Sequence, residues 1–140
     1  MKISFKLVVI CFELEIMYTD EVIKHFQHPH NLGKMKDSDS VGEVGNPVCG
    51  DLMRIYLKVS KDEKGRQVIQ DIKFETLGCV AAIATSSMVT DMAKGKTFEE
   101  AMKIKFSDVE KSLGSLPPVK KHCADLAVKA LKAAVENYKV

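Results

Sequence analysis

The feature that most narrows the possible folds is a change of hydrophobic period in mid-chain. Over residues 53–59 apolar and polar side chains alternate: Met53, Ile55, Leu57 and Val59 fall on one side, Arg54, Tyr56 and Lys58 on the other. Val68, Ile72 and Phe74 resume the alternation after the polar, glycine-bearing connection Lys61-Asp62-Glu63-Lys64-Gly65-Arg66. A two-residue period puts one row of side chains on a buried face and the next in water, so the two segments predict half-buried strands joined as a hairpin. Beyond Leu77-Gly78-Cys79 the period lengthens. Val80, Ile83, Ala84, Met88, Val89 and Met92 recur at helical intervals up to Gly95, predicting a helix over residues 80–94. With residues 41–45 as a short first strand, the expectation is an α+β fold: a small three-stranded antiparallel sheet packed against several helices.

The other helices are marked by their ends. Thr19 or Asp20 can cap a helix through about Gln27, with Val22, Ile23 and Phe26 on one face and Pro29 as its stop. Thr97 and Glu100 stand at the spacing of a capping box for a short helix to about Met102, and Ser107-Asp108-Val109-Glu110 starts another. Leu116-Pro117-Pro118 opens a long last helix, since proline at the first positions removes no intrahelical donor. Its buried stripe is Val119, Cys123, Leu126, Ala127, Ala130, Leu131, Ala134 and Tyr138.

One domain over residues 17–140 is the default for 140 residues of which 46% are hydrophobic. Residues 1–16 stand apart. Met17-Tyr18-Thr19-Asp20 reads as a natural start, so the preceding stretch is either an extension left by a misassigned start or an added strand or partner-binding arm. Its apolar run is followed by Glu13 and Glu15, carries no small-residue cleavage site, and is too short to span a bilayer. A net charge of +2 is too balanced for the broad basic surface that nucleic-acid binding needs, which leaves small partners or other proteins. Four cysteines lie far apart in a chain able to build its own core, so reduced thiols in a cytoplasmic protein are expected rather than a disulfide framework.

Three of those cysteines sit at junctions between elements. Cys49 falls in the turn Asn46-Pro47-Val48-Cys49-Gly50-Asp51, Cys79 at a strand-to-helix turn, and Cys123 one to two turns into the last helix. This arrangement can bring them to one end of the sheet. Thiolates are the preferred ligands of Zn²⁺, Cu(I) and iron–sulfur centres, and a helix N-terminus favours the thiolate at Cys79. Asp51, two residues from Cys49, adds a hard oxygen that should hold iron less firmly than a fourth sulfur. His122 can border the same cavity as Cys123. Lys120, three residues before Cys123, can stabilise a thiolate or persulfide, or pair with Asp51. Taken singly each cysteine reads more readily as a core residue, and Cys11 stays under that reading. His25, His28 and His30 match no common metal spacing and read as a solvated surface cluster.

Together, Asn46-Pro47-Val48-Cys49-Gly50-Asp51, Gly78-Cys79 leading into an Ala/Ser-rich helix, and Leu116-Pro117-Pro118-Val119-Lys120-Lys121-His122-Cys123 resemble the three signature segments of the IscU/NifU-type iron–sulfur cluster assembly scaffolds. The opening from Tyr18 to Asn31 is similar to that family's N-terminus. The resemblance implies an IscU-like fold and a scaffold or carrier rather than an enzyme. It implies a transient [2Fe–2S] cluster on Cys49, Cys79 and Cys123, with Asp51 or His122 as the remaining ligand, and Zn²⁺ at the same site when no cluster is present. Implied partners are a cysteine desulfurase, with Cys123 as first candidate persulfide acceptor, recipient apoproteins, and an Hsp70/J-type chaperone at Leu116, Pro117, Pro118, Val119 and Lys120. Neither nucleic acid nor membrane is implied. A zinc-bound sulfur-transfer protein is the alternative. Val80-Ala81 stands where many members carry Gly-Ser, a bulkier pair that lacks the hydroxyl beside the thiolate.

Overall fold

The computed structural model describes residues 18–46 and 51–138, the side chains of residues 46, 51 and 119 excepted. The readings of residues 1–16, Cys11 among them, fall outside these. In chain order the elements are α1 (Asp20–Gln27), β1 (Ser40–Asn46), β2 (Asp51–Lys61), β3 (Gln67–Leu77), α2 (Val80–Ala93), α3 (Phe98–Met102), α4 (Phe106–Ser112), a 3₁₀ turn (Pro118–Lys120) and α5 (Lys121–Asn137). The three strands form one antiparallel sheet in the order β1-β2-β3.

The alternation in β2 does what its period dictates: Met53, Ile55 and Leu57 are buried beneath the helices. In β3 the expectation needs one correction. Lys58 pairs with Asp71 but Val59 pairs with Ile69, so the ladder skips Gln70 in a bulge. That extra residue reverses the facing order, and Ile69 rather than Val68 joins Ile72 and Phe74 in the core.

The helix starts follow their capping chemistry. Thr19 caps α1 by accepting from the Val22 N–H, and its hydroxyl donates to the Leu113 carbonyl. Thr97 and Glu100 form the capping box of α3. Helix α4 starts one residue before the expected Ser107: Lys105 is the cap, and Asp108 accepts from the Lys105 N–H at 3.0 Å. The paired prolines also differ from expectation, because they open a 3₁₀ turn and α5 begins only at Lys121. Cys123 consequently sits in the first turn of α5 rather than one to two turns inside it.

Helix α2 is the centre of the molecule, packed against α1, α5 and β3. Its most buried residues are small: Ala81, Ala82, Ala84, Thr85, Ser86, Ser87, Thr90 and Ala93, with Val89 the one larger member. Val80, Ile83, Met88 and Met92, which marked its helical period, lie at the partly exposed margin. Small side chains let neighbouring elements approach from several directions. The threonine hydroxyls are satisfied within the helix, Thr85 donating to the Ala81 carbonyl at 2.7 Å and Thr90 to that of Ser86 at 2.9 Å, while the Ser86 hydroxyl reaches Met53 of β2 and that of Ser87 meets His25 and His30. A similar close approach fixes α5 on the sheet. A Cβ on Gly42 would stand 2.3 Å from both Ala130 O and Ala134 N. Only a residue without a side chain lets β1 lie directly beneath the helix.

The histidines do not form the solvated cluster that their spacing suggested. His28 and His30 are exposed, but His25 is buried, its Nδ1 2.7 Å from the Ser87 hydroxyl of α2. Burial, then the neighbouring His30, pushes the His25 pKa down. Val22, three residues earlier on the same helical face, could have placed it on the inner side of α1.

Candidate functional site

Cys79 ends the β3-to-α2 connection as the N-cap of α2, with extended backbone. At that position the first backbone N–H groups of the helix point toward its sulfur. Cys123 arrives from the other direction, in the first turn of α5, where the core side of the helix packs beside α2. Forty-four residues apart in sequence, the two sulfurs stand 3.7 Å from one another. Neither is joined in a disulfide, and Cys79 is half-buried and Cys123 fully buried.

The pair is polarised. The Cys79 pKa is lowered to about 5, first by the hydrogen bond from Cys123, then by the N–H groups of Ala82 and Ala81 and by the Lys120 ammonium, against the opposing effect of burial. Lys120 feels the reciprocal effect, and its pKa is raised chiefly by the Cys79 charge. Lys120 thus interacts electrostatically with both sulfurs, more strongly with Cys79 than with Cys123. His122 lies beside Cys123, with its Nε2 3.6 Å from the sulfur.

Tyr18 is the site neighbour that sequence reasoning missed. Its phenol pKa is raised by burial and next by the charge of Cys79. Tyr18 precedes the cap of α1, a position where an apolar ring commonly packs to fix the entry angle of the chain. That signal marks a packed residue but does not say what it packs against.

Cys49 lies outside the described residues, as does the side chain of Asp51. The flanking backbone is described. Asn46 pairs with Asp51 at the end of the β1–β2 ladder, and Leu52 pairs with Leu77, two residues before Cys79. Both strands that bracket residues 47–50 thus reach the end of the sheet from which Cys79 departs. In the segment before α5, Leu116 is buried and Pro118 is exposed.

The chemistry open to the pair follows from its spacing. Two thiolates on one tetrahedral ion, with metal–sulfur bonds of about 2.3 Å, stand about 3.8 Å apart. The observed separation suits two ligands of a common metal centre and is far longer than a disulfide. The N-terminal amides and the Lys120 ammonium offset the negative charge that such a donor set accumulates.

The family model described as NifU-like N terminal domain matches residues 17–140. The iron–sulfur cluster assembly scaffold protein IscU 1 of Archaeoglobus fulgidus is 60% identical over 122 residues, covering 87% of this chain and 76% of that protein. The IscU scaffold of Azotobacter vinelandii is 49% identical over 125 residues, with 87% and 94% covered. Among solved structures, a nitrogen-fixing NifU-like protein (N-terminal) from Brucella abortus superposes with a TM-score of 0.57 at 21% identity, covering 89% of this chain and 93% of that one, a likeness of fold.

Proposed function

The chain belongs to the NifU-like N terminal domain family, and from that premise we propose that it is a scaffold on which a labile [2Fe–2S] cluster is assembled and from which it is passed to apoproteins. The observation that carries this reading is the 3.7 Å approach of Cys79 and Cys123 at a surface end of the sheet. Cys49 and either Asp51 or His122 complete the ligand set. The cluster is cargo, so the protein acts as a carrier rather than a turnover enzyme, and one oxygen or nitrogen ligand among sulfurs favours release. Zn²⁺ suits the same donors when no cluster is held.

Sulfur arrives from a cysteine desulfurase as a persulfide. The Cys123 sulfur attacks the outer sulfur of that persulfide, a new S–S bond forms, and the desulfurase thiolate leaves. The Cys123 proton has a nearby destination, since the Cys79 thiolate is its hydrogen-bond partner. Cys123 is buried, so this attack requires the start of α5 to yield. The preceding segment, 116–120, is the place for an Hsp70/J-type chaperone to act, with buried Leu116 becoming available in the same opening. A cytoplasmic location accords with reduced thiols; among the described residues no helix is long and apolar enough to cross a membrane.

The test is anaerobic reconstitution with desulfurase, cysteine and ferrous iron. The expected result is a visible-region chromophore with matching iron and acid-labile sulfide, lost in Cys79→Ser and in Cys123→Ser. A colourless protein that retains zinc and still accepts sulfur would overturn the scaffold reading in favour of sulfur transfer.

A further inference from the structure

We propose that His25, His30 and Asp91 form a second metal site, for a divalent transition-metal ion of the Fe²⁺/Zn²⁺ class, separate from the cysteine pair. One donor atom from each of the three residues lies within 4.8 Å of the other two. Two imidazoles and one carboxylate, with positions left for water, are a donor set suited to Fe²⁺ and Zn²⁺ and poorly suited to the harder Ca²⁺ or Mg²⁺.

The site is built from three segments that the tertiary fold brings together. His25 comes from α1, His30 from the turn after it, and Asp91 from the last turn of α2. His25 and Asp91 each have an orienting partner outside the donor set, while the His30 ring is held by Asp91 itself. Ser87 Oγ lies 2.7 Å from His25 Nδ1 and accepts from the His30 backbone N–H at 2.8 Å. In the tautomer whose Nδ1–H donates to Ser87, Nε2 of His25 carries the lone pair a metal needs. Asn31 donates to Asp91 Oδ1 and to the Thr90 hydroxyl, both at 3.0 Å, while Asp91 Oδ2 meets His30 Nδ1 at 2.5 Å. Asn31 itself is in the left-handed region, φ 64°, and its carbonyl accepts from the Phe74 N–H of β3 at 2.8 Å. The turn is thereby tied to the sheet edge.

Access is provided on the α1 side. A pocket of about 290 Å³ is lined by Glu21, Lys24, His25, His28 and His30, so ligand exchange needs no unfolding, and Glu21 and His28 border the open positions. Along α2, Ser87 and Asp91 lie about 12 and 18 Å from the Cys79 end. An ion here shares a rigid helix with the cysteine pair but no ligand.

Anaerobic Co²⁺ titration of the full chain separates the two sites. Cobalt on thiolates gives intense near-ultraviolet sulfur charge transfer, and cobalt on imidazole and carboxylate gives only weak visible bands. The wild-type chain should show both classes. His30→Ala and Asp91→Asn, both at exposed positions, should lose the weak class and keep the charge transfer, and Ser87→Ala should weaken the second ion by about 10- to 100-fold. In Cys79→Ser/Cys123→Ser, Zn²⁺ should still shift the His25 and His30 ring resonances. Weak bands without charge transfer would refute the cysteine reading and leave this one standing. A single charge-transfer class, unaltered in His30→Ala and Asp91→Asn, would overturn the second site.

Discussion

If Cys79 is held as a thiolate, its reactivity has a pH signature that a rate at neutral pH would hide. Lowering the pKa from 9.0 to about 5 raises the ionised fraction at pH 7 about 100-fold. The same change makes the sulfur a weaker nucleophile, by about 40- to 100-fold for a Brønsted slope of 0.4–0.5. The two effects nearly cancel at pH 7, so alkylation there should proceed at an unremarkable rate. At pH 5 they do not cancel, and Cys79 should react about 50- to 100-fold faster than an ordinary thiol. The assay is peptide-resolved iodoacetamide labelling of reduced, metal-free protein between pH 4 and 10. The expected profile for Cys79 inflects near 5 and is flat above. Cys123→Ala, which removes the largest cause of the shift, should move the inflection upward further than Lys120→Met, which removes only the ammonium. The linkage has a definite sign: the folded state prefers the thiolate, so stability present above the ordinary thiol pKa declines as pH falls through about 5. A wild-type inflection in the ordinary range near 8.5 to 9, unmoved by either substitution, would refute the polarised-pair reasoning.

Three other outcomes are expected. Gly42→Ala forces a methyl against two backbone atoms of α5 at 2.3 Å, and urea denaturation should show a loss of about 1–3 kcal/mol; a change below about 0.5 kcal/mol, the ordinary surface range, would mean that β1 and α5 separate freely. Removal of metal by a chelator should leave the folded far-ultraviolet circular dichroism intact, because the core around Ile55, Leu57, Ile72, Phe74 and Leu131 is overwhelmingly apolar, with Cys123 the one proposed ligand inside it; collapse of the signal would instead mark a structural metal. Asp51→Ala should slow loss of an assembled cluster, followed by decay of its visible absorption, since it removes the hard ligand; faster decay would count against Asp51 as the labile position.

Much of this molecule is written locally. Period-two and helical patterns, the Thr19 cap, the Thr97–Glu100 box and the hairpin connection act over a few residues, and the sheet and the existence of each helix follow from them. The cysteine motifs were equally legible, because turn residues beside a thiol can be recognised without knowing what stands opposite. The helix α2 was legible as a helix but not as the centre of the fold. Its buried residues are alanine, serine and threonine, whose value lies in close packing by several neighbours rather than in hydrophobicity.

Tertiary structure alone decided which groups meet. Cys79 and Cys123 approach across forty-four residues, Lys120 at the end of the 3₁₀ turn comes within electrostatic reach of Cys79, and His25, His30 and Asp91 converge because α1 lies along α2. Such meetings depend on the angle and offset at which elements pack. Sequence periodicity fixes which face of an element is buried, while the bulge at Gln70 and the absence of a side chain at Gly42 help set how the elements lie together.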